Sequence, residues 1–347
     1  MDRIQPGGGV VSAFHGMTYS IVVLAAFGIF ADIGQAQAQA QAQDQEVTFQ
    51  EADGRVQIRI GGAPFATYVY RDEKIPRPYF CNVMAPNGVQ VTRPNPPDPI
   101  LNKGNDDHPE FHPGIWLAFG DIGGTDVWRN KGRVRHERFV TEPRSGTGTF
   151  AVENVYETTD SPPRIVCREL CTYAIHATAR GCLVIMESDI VCSDRDLTFG
   201  DQEEMGLGVR MATSLTVEHG GGSIVNSEGG ANEAGTWGRQ AAWCSYYGAA
   251  DRQRVGITIM ADPANFRPSW FHTRDYGLMV ANPFGKKAMT APDDAGVPPD
   301  VTLVKQGQHL RLSFGILVFS GPESVPFDGS GDYKAFLDLL RSSRGKE

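Results

Sequence analysis

Four short runs hold the residues that could do chemistry. The densest is Trp270-Phe271-His272-Thr273-Arg274-Asp275-Tyr276-Gly277. In an extended chain, alternation sets Trp270, His272, Arg274 and Tyr276 on one face. An ordinary core face would be aliphatic, so an indole, an imidazole, a guanidinium and a phenol in succession point to a ligand cleft. A second run, His108-Pro109-Glu110-Phe111-His112-Pro113-Gly114-Ile115-Trp116, carries two imidazoles that titrate near neutral pH and so suit acid–base work. It is not a metalloprotease helix, because Pro109 and Pro113 would break one. Fully extended, His108 and His112 would stand roughly 13 Å apart. Only a folded loop can bring them to one ligand. The plainer alternative is a proline-fixed turn with hydrogen-bonded histidines.

In the third run, Gly120-Asp121-Ile122-Gly123-Gly124-Thr125-Asp126-Val127-Trp128, two aspartates flank a glycine turn. An indole beside carboxylates suits a sugar, with the ring over the apolar C–H face and the carboxylates on hydroxyls. An Asp-capped turn with a core Trp fits equally well. In the fourth run, Asp201 to Arg210, a strand would turn Val209 one way and Glu204, Gly206, Gly208 and Arg210 the other. The two glycines would then form a shallow floor for something flat, unless this is a solvated edge strand. On a flat strand Glu204 and Arg210 would lie roughly 20 Å apart, too far for an ion pair.

The elements that must position these runs are strands. Period-two alternation from Glu46 onward marks strands at Arg55–Ile60, Phe65–Tyr70, Val134–Thr141, Thr149–Thr158, Ile165–Thr178, Cys182–Val191, Gly208–Glu218, Val255–Ala261 and Leu310–Phe319, among others. One helix is evident, Tyr333–Leu340, behind a cap in Asp328–Asp332. Some fifteen strands require two stacked antiparallel sheets. The expected fold is therefore all-β, a large antiparallel β-sandwich with one C-terminal helix, forming a single domain over residues 41–347. The polar stretch Arg93–Asp107 reads as a functional lid or a disordered loop.

Composition agrees: 40 Gly and 22 Pro in 347 residues favour short strands and turns over long helices. A net charge of −9 argues against a sequence-independent grip on nucleic acid and against a polybasic membrane contact. The apolar run Ser20–Ala31 would span roughly 18 Å as a helix, short of the ~30 Å hydrocarbon core. With small A-x-A steps at Ala36–Ala40, it reads as a secretory signal peptide, and residues 1–40 as signal plus a low-complexity Gln/Ala linker. An uncleaved anchor is the alternative. The mature protein is expected to be secreted or periplasmic. Six cysteines in an exported chain make disulfides plausible, with Cys171–Cys182 or Cys167–Cys192 as cross-hairpin pairings; without a C-x-x-C pair, zinc is the weaker reading.

The runs DHPEFHPGIWLAFGDIGGTDVWRN, EEMGLGVR and NFRPSWFHTRDYGLMVANPFG resemble the PmoA-like family of exported bacterial proteins of unknown function, over roughly Glu46–Pro322. The oxygenase label that such proteins often carry does not suit a mature chain without a membrane span. The resemblance implies a galactose-mutarotase-like supersandwich, whose relatives include epimerases, polysaccharide lyases and glycoside hydrolases that bind sugars on one concave sheet face. The matching positions are His108, His112, Trp116, Asp121, Asp126, Trp128, Glu204, Arg210, His272, Arg274, Tyr276 and Asn282. Two departures put a metal or a fixed proton relay in doubt. Many members have adjacent histidines followed by Arg where this chain has Glu110-Phe111-His112-Pro113, and many have His where it has Phe119.

The expected function is that of a secreted carbohydrate-active protein: a lyase, epimerase or hydrolase acting on a sugar or uronide. His112 or His272 would be the base, Glu204 the acid, and Arg274 or Arg210 the holder of a carboxylate or oxyanion. His108, Trp116, Asp121, Asp126, Trp128, Arg210, Trp270, Tyr276 and Asn282 would bind substrate. Hydrolysis by two carboxylates fits less well, because no acidic pair stands out. The alternatives are a non-catalytic glycan-binding protein and, from His108 and His112, a metal-dependent oxidase or oxygenase. No cofactor, metal, nucleic acid or membrane partner is expected for the mature form.

Overall fold

The computed structural model describes residues 45–345, so the signal-peptide and linker reading of residues 1–40 lies outside the described residues. The expected sandwich is present. One sheet has nine strands, in the spatial order Val47–Ala52, Arg55–Ile60, Ala63–Val69, Tyr79–Cys81, Ile115–Phe119, Met205–Arg210, Leu278–Asn282, Trp270–Arg274 and Arg239–Gln240. The other has eight, in the order Ser223–Asn226, Trp243–Ala250, Gln253–Ala261, His309–Pro322, Gly181–Val191, Ile165–Thr178, Thr149–Thr158 and Gly132–Thr141. Neighbouring strands run antiparallel throughout both sheets. Alternating apolar residues such as Met205, Leu207, Val209, Val184, Met186 and Ile190 fill the space between the sheets.

The C-terminal helix runs from Gly329 to Arg344, and the Asp328 carboxylate accepts the Gly331 N–H at 2.8 Å as its cap. Its Phe336 and Leu340 bury against Leu183, Ile185 and Leu317 on the outside of the eight-stranded sheet. Three shorter helices, Val217–Gly220, Asn232–Thr236 and Lys286–Thr290, have too few residues to show a period in the sequence. The strand expected over Gly208–Glu218 starts at Met205 and ends at Arg210, because Thr213–Leu215 coils into a 3₁₀ turn and Val217–Gly220 into a helix.

The cysteine expectation is corrected. All six thiols are free and buried. Cys171 stands opposite Ser188 and Cys182 opposite Ala177, so Cys171 and Cys182 are six register steps apart, roughly 20 Å. Cys167 and Cys192 do oppose one another, one step beyond the Arg168–Val191 pair, but as thiols.

The stretch Arg93–Asp107 is a pinned loop rather than a disordered one. Asn102 and Asn105 both donate to the Thr213 hydroxyl, at 2.8 and 3.1 Å, and the buried Arg93 donates to the Asn105 carbonyl at 2.7 Å. This loop leads into His108 and His112. Among the described residues no helix is long and apolar enough to cross a membrane.

Candidate active site on the outer face of the nine-stranded sheet

Register assembles the site. Trp116, Gly208, Val280 and His272 are directly opposed across four adjacent strands, so all four point to the same, outward face. The next row on that face sets Arg210, Leu278 and Arg274 side by side. Gly208 is there because Trp116 needs the room: a Cβ at position 208 would sit 2.6 Å from the Trp116 ring and 3.0 Å from that of Trp128. The flat object expected on the glycine floor is therefore the chain's own indole. His112 then stacks on Trp116, with ring centroids 5.3 Å apart and planes 19° apart, and Trp128 packs edge-on to both. Trp116 and Trp128 are buried and offer no open face to a sugar.

At the start of the Met205–Arg210 strand the chain bends at Glu203 and Glu204, and both carboxyls join one cluster, termed the basin, with His112, His272, Arg129 and Arg274. Each glutamate lies between an imidazole and a guanidinium. Glu204 faces His112 Nε2 at 3.6 Å and pairs with Arg129. Glu203 faces His272 Nδ1 at 3.4 Å and Arg274 Nη2 at 3.3 Å. The imidazoles are buried, with side chains only 3% and 4% exposed, whereas Glu204 is 19% and Glu203 37% exposed. Solvent reaches the carboxyls, not the rings.

Electrostatics separate these groups. Burial pushes His112 down to about 4, with Arg210 adding to the effect and Glu204 opposing it. Burial, then Arg274, pushes His272 down to about 3. Both rings are neutral at pH 7. Burial acts upward on Glu204, but the approach of His112 and Arg129 outweighs it and holds the carboxyl below its ordinary range. Glu203 goes the other way: burial raises it, Arg274 only partly offsets this, and the charge on Glu204 raises it further. Two neighbouring carboxyls with opposed proton preferences are the usual arrangement of an acid and a base. At 3.6 and 3.4 Å the imidazole contacts are too long or misaligned for hydrogen bonds, so both His112 nitrogens and His272 Nδ1 are buried without a protein partner. The indole nitrogens of Trp116 and Trp128 share that condition.

The four expected catalytic residues, His112, Glu204, His272 and Arg274, thus meet in one cluster. His108 and His112 converge as a folded loop allows, with centroids 5.6 Å apart, and His108 Nδ1 lies 2.6 Å from Asp107 Oδ2. The other Asp107 oxygen takes the buried Arg210 at 2.5 Å, and that guanidinium lies 4.4 Å over the Tyr276 ring, so Arg210 and Tyr276 border the basin. Arg210 and Glu204 make no ion pair with each other, in line with their spacing.

Other expected binding residues serve the frame. Asp121 accepts the Gly124 N–H at 3.0 Å inside its own turn and faces a separate polar cleft of about 520 Å³. Asp126 caps the turn that aims Arg129, accepting the Arg129 N–H at 2.9 Å. Trp270 is buried near Arg267. Asn282 is fully buried with every polar atom engaged: its amide donates to the carbonyls of Gln202 and Glu203 at 2.7 and 3.0 Å, and its oxygen accepts from Phe284 and Gly285 at 2.8 and 2.9 Å. It is a clamp for the glutamate pair. Asn282→Ala is expected to cost about 1–3 kcal/mol, the penalty for unpairing buried polar groups. Urea unfolding measures that loss; a variant as stable as the parent would show that the clamp contributes nothing.

Residues without a signal in the local pattern complete the site: Glu203, Arg129, Asp107, Glu233, which takes Arg274 Nη1 at 2.9 Å, and Trp237, whose ring lies 5.5 Å from the Arg274 guanidinium. Among the described residues no group of three or more His, Cys, Asp or Glu side chains is disposed to hold a metal ion.

Among solved structures, the chain is similar to the GH36 α-galactosidase AgaA from Geobacillus stearothermophilus, at 11% identity and TM-score 0.37, covering 80% of this chain but only 40% of that one. It is also similar to a galactose mutarotase related enzyme from Lactobacillus acidophilus, at 10% identity and TM-score 0.35, covering 81% and 100% of the two chains. A third likeness is a putative aldose 1-epimerase from Escherichia coli K12, at 11% identity and TM-score 0.31, covering 78% and 98%. Likenesses this distant carry neither a ligand nor a reaction across. No curated protein matches the sequence. Residues 55–325 match a single family over most of the chain, and the protein belongs to it: the family of unknown function DUF6807.

Proposed function

We propose that the protein is a carbohydrate-active enzyme that moves protons on a sugar or uronide between Glu204 and Glu203. One observation carries this reading: consecutive glutamates, each between an imidazole and a guanidinium, hold opposite proton preferences where solvent reaches them. The roles differ from those expected. Glu204, held ionised, is the base; Glu203, with its raised pKa, is the acid; the buried, neutral rings of His112 and His272 back the two carboxyls. Glu204 takes a proton from a ring carbon beside a carbonyl or carboxylate. The C–H electron pair moves toward that carbonyl, and Arg274 and Arg129 stabilise the oxyanion that forms. Glu203 then returns a proton, either to the opposite face of the carbon (epimerisation) or to the departing oxygen (elimination).

The acidic pair also brings hydrolysis into range as a branch of the same proposal. A purely glycan-binding role is less well supported, because Trp116 and Trp128 lie beneath His112 rather than facing outward. Kinship with PmoA-like proteins and export after cleavage near Ala40 belong to the proposal as well; an oxygenase reaction does not. The test is a screen of neutral sugars, uronates and 3-keto sugars, with and without chelator, reading melting temperature and product together. Ligand binding to the native state raises the melting temperature by linkage. A melting shift with product from any member supports the proposal. Binding without product across the panel leaves a glycan-binding module, and no response at all removes sugars from consideration.

A further inference from the structure

Arg274 has two sides. Nη2 faces Glu203 in the basin, while Nη1 is bound by Glu233 and the guanidinium lies over Trp237. Beyond it opens a cavity of about 480 Å³, walled by Glu233, Trp237, Arg239, Arg274, Met289 and Thr290. That volume is within the ordinary ~300–1,000 Å³ range of ligand pockets. Arg274 touches Glu203 on one side and lines the cavity on the other, so a ligand longer than one ring could run from the glutamate pair across Arg274 onto the indole.

Two arginines and one glutamate stand in the cavity wall. Among the described residues Glu233 is the one carboxylate in that wall, and Arg274 already pairs with it. Arg239 is exposed and makes no ion pair. With Arg274 matched by Glu233, Arg239 is the unmatched charge in the wall, and in a chain of net charge −9 a free guanidinium favours an anionic group on its ligand. The half-buried Trp237 adds an apolar face for the C–H side of a sugar ring.

We infer that this cavity is a second subsite, binding the carboxylate-bearing neighbour of the sugar ring that lies over Glu203 and Glu204. The inference rests on the proposed function and narrows it to uronide chains of two or more rings. The chemistry is coherent. In such a chain the ring in the basin presents an acidic C–H beside its own carboxylate, and the next ring offers its carboxylate to Arg239, whose planar fork can take both oxygens.

The test uses calorimetric titration with trimers of galacturonate, glucuronate and mannuronate, each beside its neutral trimer of galactose, glucose or mannose. At least one uronate trimer should bind about tenfold or more tightly than its neutral counterpart, as expected for hydrogen bonds to a charged group. Arg239→Gln should remove most of that gap, and Trp237→Ala should weaken both members of the pair. Equal binding of uronate and neutral trimers, a gap that survives Arg239→Gln, or no binding by any trimer would each overturn the subsite. The two readings fail separately. A gap that depends on Arg239 without turnover of any trimer keeps the subsite and sinks the proposed reaction; turnover indifferent to Arg239→Gln does the reverse.

Discussion

Glu204→Gln and Glu203→Gln should each lower turnover of the sugar substrate about 10²–10⁴-fold, the usual contribution of a general acid or base. Both substitutions conserve shape. A glutamine carbonyl at position 204 still accepts from Arg129, so the variants should fold with unchanged circular dichroism. The diagnostic is the pH profile rather than the loss itself. With Glu204 held below the ordinary carboxylate range and Glu203 above it, the parent should show a bell in kcat/KM. Its acid limb reports protonation of the base and its alkaline limb deprotonation of the acid, both as values of the coupled pair. Residual turnover in Glu204→Gln should lack the acid limb, and in Glu203→Gln the alkaline limb. If the double variant turns over at the parent's rate, or if both singles keep the complete bell, the carboxyl pair is not the proton relay and the proposed mechanism is wrong.

Why Glu203 escaped a reading of the sequence, while Glu204 did not, is instructive. Strand alternation sends consecutive residues to opposite faces, so a strand that included both would present only one of them. The bend at Glu203 and Glu204 cancels that rule, and its cause is remote: Asn282, some eighty positions away, holds the carbonyls of Gln202 and Glu203. Arg129 likewise reaches Glu204 across the sheet, and Trp237 meets Arg274 through a helix too short to show a period.

What was legible followed from local spacing. The alternation at Trp270–Arg274 set Trp270, His272 and Arg274 on one face, because that strand is regular. The prolines around His112 required a loop, and the chain there turns back so that the Phe111 and His112 N–H groups both bond to the His108 carbonyl. Trp116 and Gly208 owe their places to each other. The spacing of their runs suggests a substrate-binding indole and an open glycine floor, but the register that sets one opposite the other fills that floor with the indole. Register is a property of the assembled sheet and leaves no mark on spacing within either strand.

The second large effect is on stability in mild acid. His112 and His272 are buried as neutral rings, with folded values near 4 and 3 against 6.5 for a free imidazole. Between those values the unfolded chain binds protons that the folded chain refuses. The stability due to the neutral rings is therefore complete above pH 6.5 and drains away as pH falls toward 4 and 3. At about 1.4 kcal/mol per pH unit, each ring should cost roughly 2–3 kcal/mol between pH 6.5 and 4.5. His136, which burial also pushes down to about 4, acts in the same direction. Asp332 opposes them: burial raises it to about 6, so its contribution is complete below pH 3.8 and is lost as pH rises through 6. Glu169 and Glu203, which burial also raises, act with Asp332, but His176 and the lowered carboxyls of Asp72, Asp107, Glu157 and Glu204 side with the three imidazoles, and the net effect is a fall in acid. His272→Gln separates this ring from the rest, because a glutamine has no proton to gain. Urea midpoints measured from pH 7 to 4.5 should fall less steeply in the variant than in the parent, whatever its absolute stability at pH 7. Parallel slopes would mean that His272 is already charged, or already solvated, in the folded protein, and a neutral, buried imidazole behind Glu203 would then have no physical basis.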